Sequence, residues 1–337
     1  MSLFIVMFNF YRMKFINPDQ VRIKINKAVR KQVPFFFTVD YEMSEGLFLK
    51  NPTNQKDVLF QFNGKGNKPP ELDSSIKADI TTNPITEEEY RSKFEIIQEG
   101  LNSGEIEVAN LTIRTPIKTN LSCREIFLRS QSPYQVYIPE RYVCFSPERF
   151  VKIENGRISA NPMKGTIDAS IPNAEQQIVN DPKEIAELAA VTESVIEKLS
   201  SIAHNVSIKR EKYIDKIKSL NRTLFQVSSE VEGELPNDYL SQMGDILFSL
   251  LPAPSIAGSP KRKAEKYIRL AEGEPRGYYC GIAGYFDGIK LDTAVLIRFI
   301  EIDNESLYFR SGGGITNNSI WEDEYQEALN KIYLPFV

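Results

Sequence analysis

Apolar residues recur along this chain in two rhythms. Short extended runs at Phe35 to Val39, Gly46 to Leu49 and Val58 to Phe62 stand between polar turns, which predicts a small sheet. From Thr86 the rhythm turns helical: Tyr90, Phe94, Ile97 and Leu101 repeat at helical spacing, Thr86 and Glu89 form a capping box, and Gly104 ends the run. Strands are predicted at Ile106 to Arg114, Gln135 to Ile138 and Tyr142 to Phe145, with a helix near Cys123 to Ser130. Gly64 to Pro84, rich in Gly, Pro, Asn and Asp, reads as a connecting loop. It suggests a boundary between residues 1–85 and 86–337.

A hairpin occupies the middle of the chain. The runs Arg149 to Ile153 and Arg157 to Ala160 flank Asn155-Gly156, a dipeptide that tolerates the positive φ of tight turns. Glu148 enters the hairpin after Ser146-Pro147, and Lys164 leaves it within Asn161-Pro162-Met163-Lys164-Gly165-Thr166. One potential acid and one potential nucleophile thus stand at its ends. A strand-opening glutamate and an ordinary turn lysine are the plainer reading of the same residues.

A long helix is predicted from Asp181-Pro182 to about Ala203, with Glu184 and Glu187 on one face. Glu184 also fits a capping box with Asp181, and a solvated face accounts for Glu187. The last helix is predicted to start from a Ser319 cap with Glu322 closing its box, leaving Glu324 and Glu327 on a face of their own and Trp321, Tyr325, Leu329 and Ile332 as the apolar stripe. The two Glu-x-x-Glu pairs are either solvated faces or the halves of a site for a hard cation such as Mg²⁺. Between these helices, another begins at Pro260 with Lys261, Arg262 and Lys263 in its first turn, where they oppose the helix dipole unless an anion sits there. Strands follow at Gly281 to Tyr285, Leu291 to Ile302 and Ser306 to Arg310. Gly312-Gly313-Gly314 then reads as a tight turn or as a backbone cradle for a small anion, without the Gly-Lys-Ser/Thr of a nucleotide P-loop.

Composition narrows the function classes. With 337 residues, 42% hydrophobic and 26% charged, the chain has the make-up of an ordinary globular protein. A net charge of -4 gives no general attraction to nucleic acid or to an anionic membrane. A single histidine, His204, argues against a His-ligated metal and leaves carboxylates as the available ligands. Cys123, Cys144 and Cys280 have no paired spacing, so a reduced, cytoplasmic protein is expected. Met1 to Phe15 is apolar but broken by Asn9, Arg12 and Lys14, too short to span a bilayer and unlike a secretory signal. Met13 is the expected natural start.

Seven separate motifs stand together in one order: Ser146-Pro147-Glu148-Arg149-Phe150, Pro162-Met163-Lys164-Gly165-Thr166, Ser255-Ile256-Ala257-Gly258-Ser259-Pro260-Lys261, Arg276-Gly277-Tyr278-Tyr279, Asp292 to Arg298, Gly312-Gly313-Gly314-Ile315 and Glu324-Tyr325-Gln326-Glu327. From about residue 86 to 337 the chain resembles the chorismate-utilising enzymes, and residues 1–85 look like a shortened form of that family's amino-terminal region. The resemblance implies an α+β fold, a layered antiparallel β-sandwich with flanking helices. Lysine at position 164, where anthranilate, isochorismate and salicylate synthases usually carry alanine, makes it similar to aminodeoxychorismate synthase component I, the 4-aminobenzoate branch of folate synthesis. The same-fold alternative is anthranilate synthase component I. A catalytically weakened, partner-binding homologue is the alternative of a different class.

The resemblance also implies roles. Glu184, Glu187, Glu324 and Glu327 would hold Mg²⁺ against the ring carboxylate of chorismate. Tyr279, Arg298, Lys331 and the amides of Gly312, Gly313 and Gly314 would bind the carboxylates, with Thr166, Ser255 and Asn110 lining the pocket. Lys164 would attack C2 of the ring while Glu148 acts as general acid, and ammonia would come from a separate glutamine amidotransferase subunit. Three positions depart from the pattern: Leu188 stands in place of a common histidine, Ile196-Glu197-Lys198-Leu199 in place of Arg-Asn-Asp-Leu, and Gln226 in place of a histidine ahead of a strand.

Overall fold

The computed structural model describes residues 13–70, 77–219, 222–334 and 336, so the opening before the expected start at Met13 lies outside the described residues. Two antiparallel nine-stranded sheets pack face to face, with eight helices around them among the described residues. The helices are α1 (Pro18–Val29), α2 (Glu87–Asn102), α3 (Cys123–Arg129), α4 (Ala174–Asn180), α5 (Pro182–Ser200), α6 (Tyr239–Ser249), α7 (Lys261–Glu272) and α8 (Trp321–Asn330). The α+β sandwich expected from the resemblance is the fold observed.

The first sheet runs Met163–Asp168, Arg222–Glu234, Arg157–Ala160, Arg149–Glu154, Leu291–Val295, Ile282–Phe286, Phe35–Val39, Gly46–Lys50. Arg222–Glu234 is long enough to take Arg157–Ala160 and Met163–Asp168 end to end on one side and His204–Ser219 on the other. The second sheet runs Gly258–Ser259, Val108–Thr119, Ser306–Ile315, Phe299–Asp303, Tyr142–Ser146, Tyr134–Ile138, Leu59–Phe62, Lys65–Gly66, with Ile80–Thr82 beside Val108–Thr119. Residues 35–66 therefore supply strands to both sheets.

Aromatic packing joins the layers. Phe36 of the first sheet stacks on Phe60 of the second at 5.0 Å between ring centroids, and both are fully buried. Each such side chain contributes roughly 1.5–3 kcal/mol of burial. On the outside, α1 and α6 cover the first sheet, while α2, α7 and α8 share a core with Ala109, Leu111, Ile113 and Ile315 of the second.

Most predicted elements stand where the sequence puts them. The central hairpin turns at Asn155 and Gly156, both at positive φ, and the α2 capping box is formed. Four expectations are corrected. Leu291 to Ile302 is two strands in different sheets, because the chain turns at Arg298, whose φ is +53°. Gly312 to Gly314 lie inside the strand Ser306–Ile315, in register with Val108–Thr119, and form no turn. Ser319 does not cap α8: its hydroxyl donates to Glu324 Oε1 at 2.8 Å, and the N-cap position falls on Ile320. The stretch expected to be loop from Gly64 to Pro84 contains Lys65–Gly66 and Ile80–Thr82 as strands.

Candidate active site

The candidate residues converge where Met163–Asp168, the strand Ser306–Ile315, α5 and α8 meet. A bulge at Gly165 interrupts the register of the Lys164 strand against Arg222–Glu234, pairing Lys164 with Val227 and Thr166 with Gln226. That places Lys164 toward α5, with Nζ 3.4 Å from Glu187 Oε2. Gly165 sits at φ +63°, and a Cβ added there would meet Glu184 Oε2 at 2.7 Å. Backbone freedom and close approach are both needed at this one position. Gly165→Ala is expected to cost about 1–2 kcal/mol in urea unfolding, from left-handed strain alone, and to displace Glu184. An unchanged midpoint would show that the bulge relaxes freely.

The opposite wall is the strand of three glycines. A Cβ on Gly314 would lie 3.8 Å from Lys164 Nζ, and one on Gly313 would lie 3.4 Å from Glu324 Oε2, 3.5 Å from Glu327 Oε1 and 3.6 Å from Lys331 Nζ. Side chains there would fill the space between Lys164 and α8. Lys331 Nζ lies 2.6 Å from Glu327 Oε1 and donates to the Gly312 carbonyl at 2.7 Å. Burial lowers the pKa of the Lys331 amine; Glu327 opposes this, while Arg298 and Lys164 add to it.

Glu148 approaches from the hairpin side. Its carboxylate accepts a hydrogen bond from the Ser255 hydroxyl. Burial raises its pKa above the ordinary carboxylate range, and Ser255, Lys164, Arg298 and Lys331 pull it back without cancelling the rise. Arg298, near the turn between the sheets, donates from Nε to Tyr333 Oη at 3.2 Å. Tyr279 is buried, with its ring against Phe299 and its pKa raised well above normal by that burial.

Lys164, Glu148, Ser255, Arg298, Lys331, the three glycines and the two glutamate pairs thus share one locality. Asn110 borders it: it pairs with Gly314, and its carbonyl accepts from Arg276 Nη2 at 2.6 Å. The four glutamates suit a hard cation in kind, being carboxylates without thiol or imidazole. No group of three or more His, Cys, Asp or Glu among the described residues is close enough to hold a metal ion, so the pairs are presented without a formed cage.

Two contributors escaped sequence reasoning. Tyr333 follows α8 in irregular chain and carries no periodic signal. The Glu272–Arg276 pair spans the end of α7, with side chains 4% and 1% exposed; an i,i+4 pair in sequence gives no sign that it is buried. Gln226 lies opposite Thr166 with its Oε1 buried and without a hydrogen-bond partner.

The profile of a family described as chorismate binding enzyme matches residues 21–335. An uncharacterized PabA-like protein of Haemophilus influenzae is 41% identical over 92% of this chain and 94% of its own. Aminodeoxychorismate synthase component 1 of Salmonella typhimurium is 29% identical over 74% of this chain, which spans 57% of that relative. Anthranilate synthase component 1 of Lactococcus lactis is 34% identical over 55% of this chain and 41% of its own. Among solved structures, the menaquinone-specific isochorismate synthase of Escherichia coli shares the fold, with a TM-score of 0.71 at 16% identity over 94% of this chain and 82% of that one. Along the described residues no helix is long and apolar enough to cross a membrane.

Proposed function

The chain belongs to the chorismate binding enzymes, and from that premise we propose that it aminates chorismate to 4-amino-4-deoxychorismate, with ammonia supplied by a separate glutamine amidotransferase subunit. The observation that carries this reading is the placement of Lys164, held between Glu187 and the wall of Gly314 in the same locality as Glu148. A relative named aminodeoxychorismate synthase component 1, 27% identical over 78% of this chain, supports it.

Lys164 attacks C2 of the ring as the double bond shifts and the C4 hydroxyl leaves with the proton of Glu148, as water. Ammonia then adds at C4, the double bond shifts back and the lysine amine departs. Arg298, Lys331, Tyr279 and the backbone amides of Gly312 to Gly314 hold the substrate carboxylates, with Thr166, Ser255 and Asn110 bordering the ring. Glu184, Glu187, Glu324 and Glu327 would hold Mg²⁺, which when bound would neutralise the ring carboxylate. Cytoplasmic location belongs to the same proposal.

Product analysis tests it. The pure chain, incubated with chorismate, Mg²⁺ and ammonium at mildly alkaline pH, is expected to yield aminodeoxychorismate. Anthranilate would move it to the other amino-transferring branch. Bound chorismate without product would make it a partner-binding homologue.

Glu148 adds a pH prediction. As a general acid with a raised pKa, it is active when protonated, so its limb of the rate profile falls as pH rises through that pKa. The same shift bears on stability. The protonated carboxyl is favoured in the fold, so its contribution is present below the ordinary glutamate pKa and lost as pH rises through the raised one. Glu148→Gln is therefore expected to remove activity while being less destabilised than wild type by raising the pH from 5 to 8, read from urea midpoints. Parallel pH curves for the two proteins would refute the assignment.

A further inference from the structure

We propose that Lys198 is a positioning residue for Glu148, acting through the segment that presents the Ser255 hydroxyl. Lys198 lies in the last part of α5, and its Nζ donates to the carbonyls of Leu250 at 3.0 Å and Pro252 at 2.7 Å. Three residues after Pro252, the short turn Pro254–Ile256 carries Ser255, whose hydroxyl donates to Glu148. The far end of that turn is held from the other side, where Arg276 Nη1 donates to the Ile256 carbonyl at 2.8 Å. Two cations thus pin the segment that sets the hydrogen bond to Glu148.

A cavity of about 40 Å³ lies under α5, lined by Glu148, Ala160, Val191, Val195 and Ala253, with Lys198 and Ser255 also on its wall. That is room for roughly two or three waters beside the segment. A second cavity, about 260 Å³, lies on its other face against Leu251, Pro252, Ala257 and Gly258. The segment from Leu250 to Gly258 borders both spaces, and its Leu250, Pro252 and Ile256 carbonyls are gripped by Lys198 and Arg276. Burial lowers the Lys198 pKa to about 8, with Lys261 adding to the effect. Retaining an amine there at that cost fits a tether that apolar side chains would not supply.

The test reads Glu148 directly and does not depend on the proposed reaction. Charged groups facing Glu148 are Lys164, Arg298 and Lys331, and they are kept in every variant. The carboxyl titration of Glu148 is followed by isotope-edited infrared difference against Glu148→Gln, in wild type, Lys198→Met, Lys198→Arg, Ser255→Ala and the Lys198→Met/Ser255→Ala double variant. Loss of the Ser255 hydrogen bond removes stabilisation of the charged form, so Ser255→Ala is expected to shift the titration upward. Lys198→Met is expected to shift it the same way, Lys198→Arg to restore it, and the double variant to match Ser255→Ala alone. A Lys198→Met shift that adds in full to that of Ser255→Ala, or no shift at all, overturns the proposal. If Lys198→Met does not fold, Lys198→Leu takes its place and is read by the same criteria: a shift matching that of Ser255→Ala upholds the tether, and no shift overturns it. Chorismate turnover measured beside it fails independently if the proposed reaction is wrong.

Discussion

Replacing Lys164 by alanine is expected to abolish aminodeoxychorismate formation, by roughly a thousandfold or more, the scale on which a nucleophile acting with a partner acid is lost. The amine sits in a confined place: Glu187 Oε2 is 3.4 Å away and the Gly314 wall lies on the other side. Lys331 does not take over by a rotamer change, since it is tied to Glu327 and the Gly312 carbonyl. Chorismate affinity should fall far less than turnover, because the carboxylates are proposed to be held by Arg298, Lys331 and backbone amides. Quench-flow product analysis and equilibrium dialysis separate the two effects. A variant with near-normal turnover and no covalent adduct would remove the lysine from the mechanism, and parallel loss of binding and rate would make it a binding residue.

Glu272→Ala is expected to cost about 3–5 kcal/mol of stability, the range for breaking a buried ion pair from one side. Arg276 is almost fully enclosed and donates to Glu272, Ile256 and Asn110, while Glu272 also accepts from the amide and hydroxyl of Thr112. Removing the carboxylate leaves a buried guanidinium uncompensated and two Thr112 donors unmet. The double variant Glu272→Met/Arg276→Met should cost less than the sum of the two single variants, since an apolar pair leaves no charge behind. Urea midpoints of the four proteins form the cycle, and simple additivity would mean the pair is not coupled.

How much of this was legible depends on the kind of signal each residue leaves. The hairpin around Asn155-Gly156 and the α2 cap are local chemistry, and both were read from a few residues. Glu148 and Lys164 were visible as the ends of that hairpin, and the glutamate pairs as spacing. By contrast, His204–Ser219 was not anticipated as a strand, and of Arg222–Glu234 only the stretch following Gln226 was. His204–Ser219 is an edge strand rich in lysine, with Lys209 bonding Glu232 across to its neighbour, whereas Arg222–Glu234 buries Phe225, Val227 and Val231 but breaks the apolar run with the buried serines Ser228 and Ser229. α1, α4 and α6 were not predicted either. Leu291 to Ile302 reads as one apolar run because both halves are buried, and only the left-handed turn at Arg298 sends them to different sheets. The glycine run was ambiguous for a similar reason: glycine signals backbone freedom, and here its use is the missing side chain inside a strand.

The pairing of Phe35–Val39 with Ile282–Phe286 joins residues some 250 positions apart, Phe35 opposite Phe286. On the ribosome, three consecutive phenylalanines are made early and lack that neighbour until most of the chain has emerged. Contacts of such long sequence separation make folding slow, and an uncovered apolar strand edge invites association between nascent chains. Yield in the cell should then be set more by translation speed and chaperone supply than by the stability of the finished sandwich.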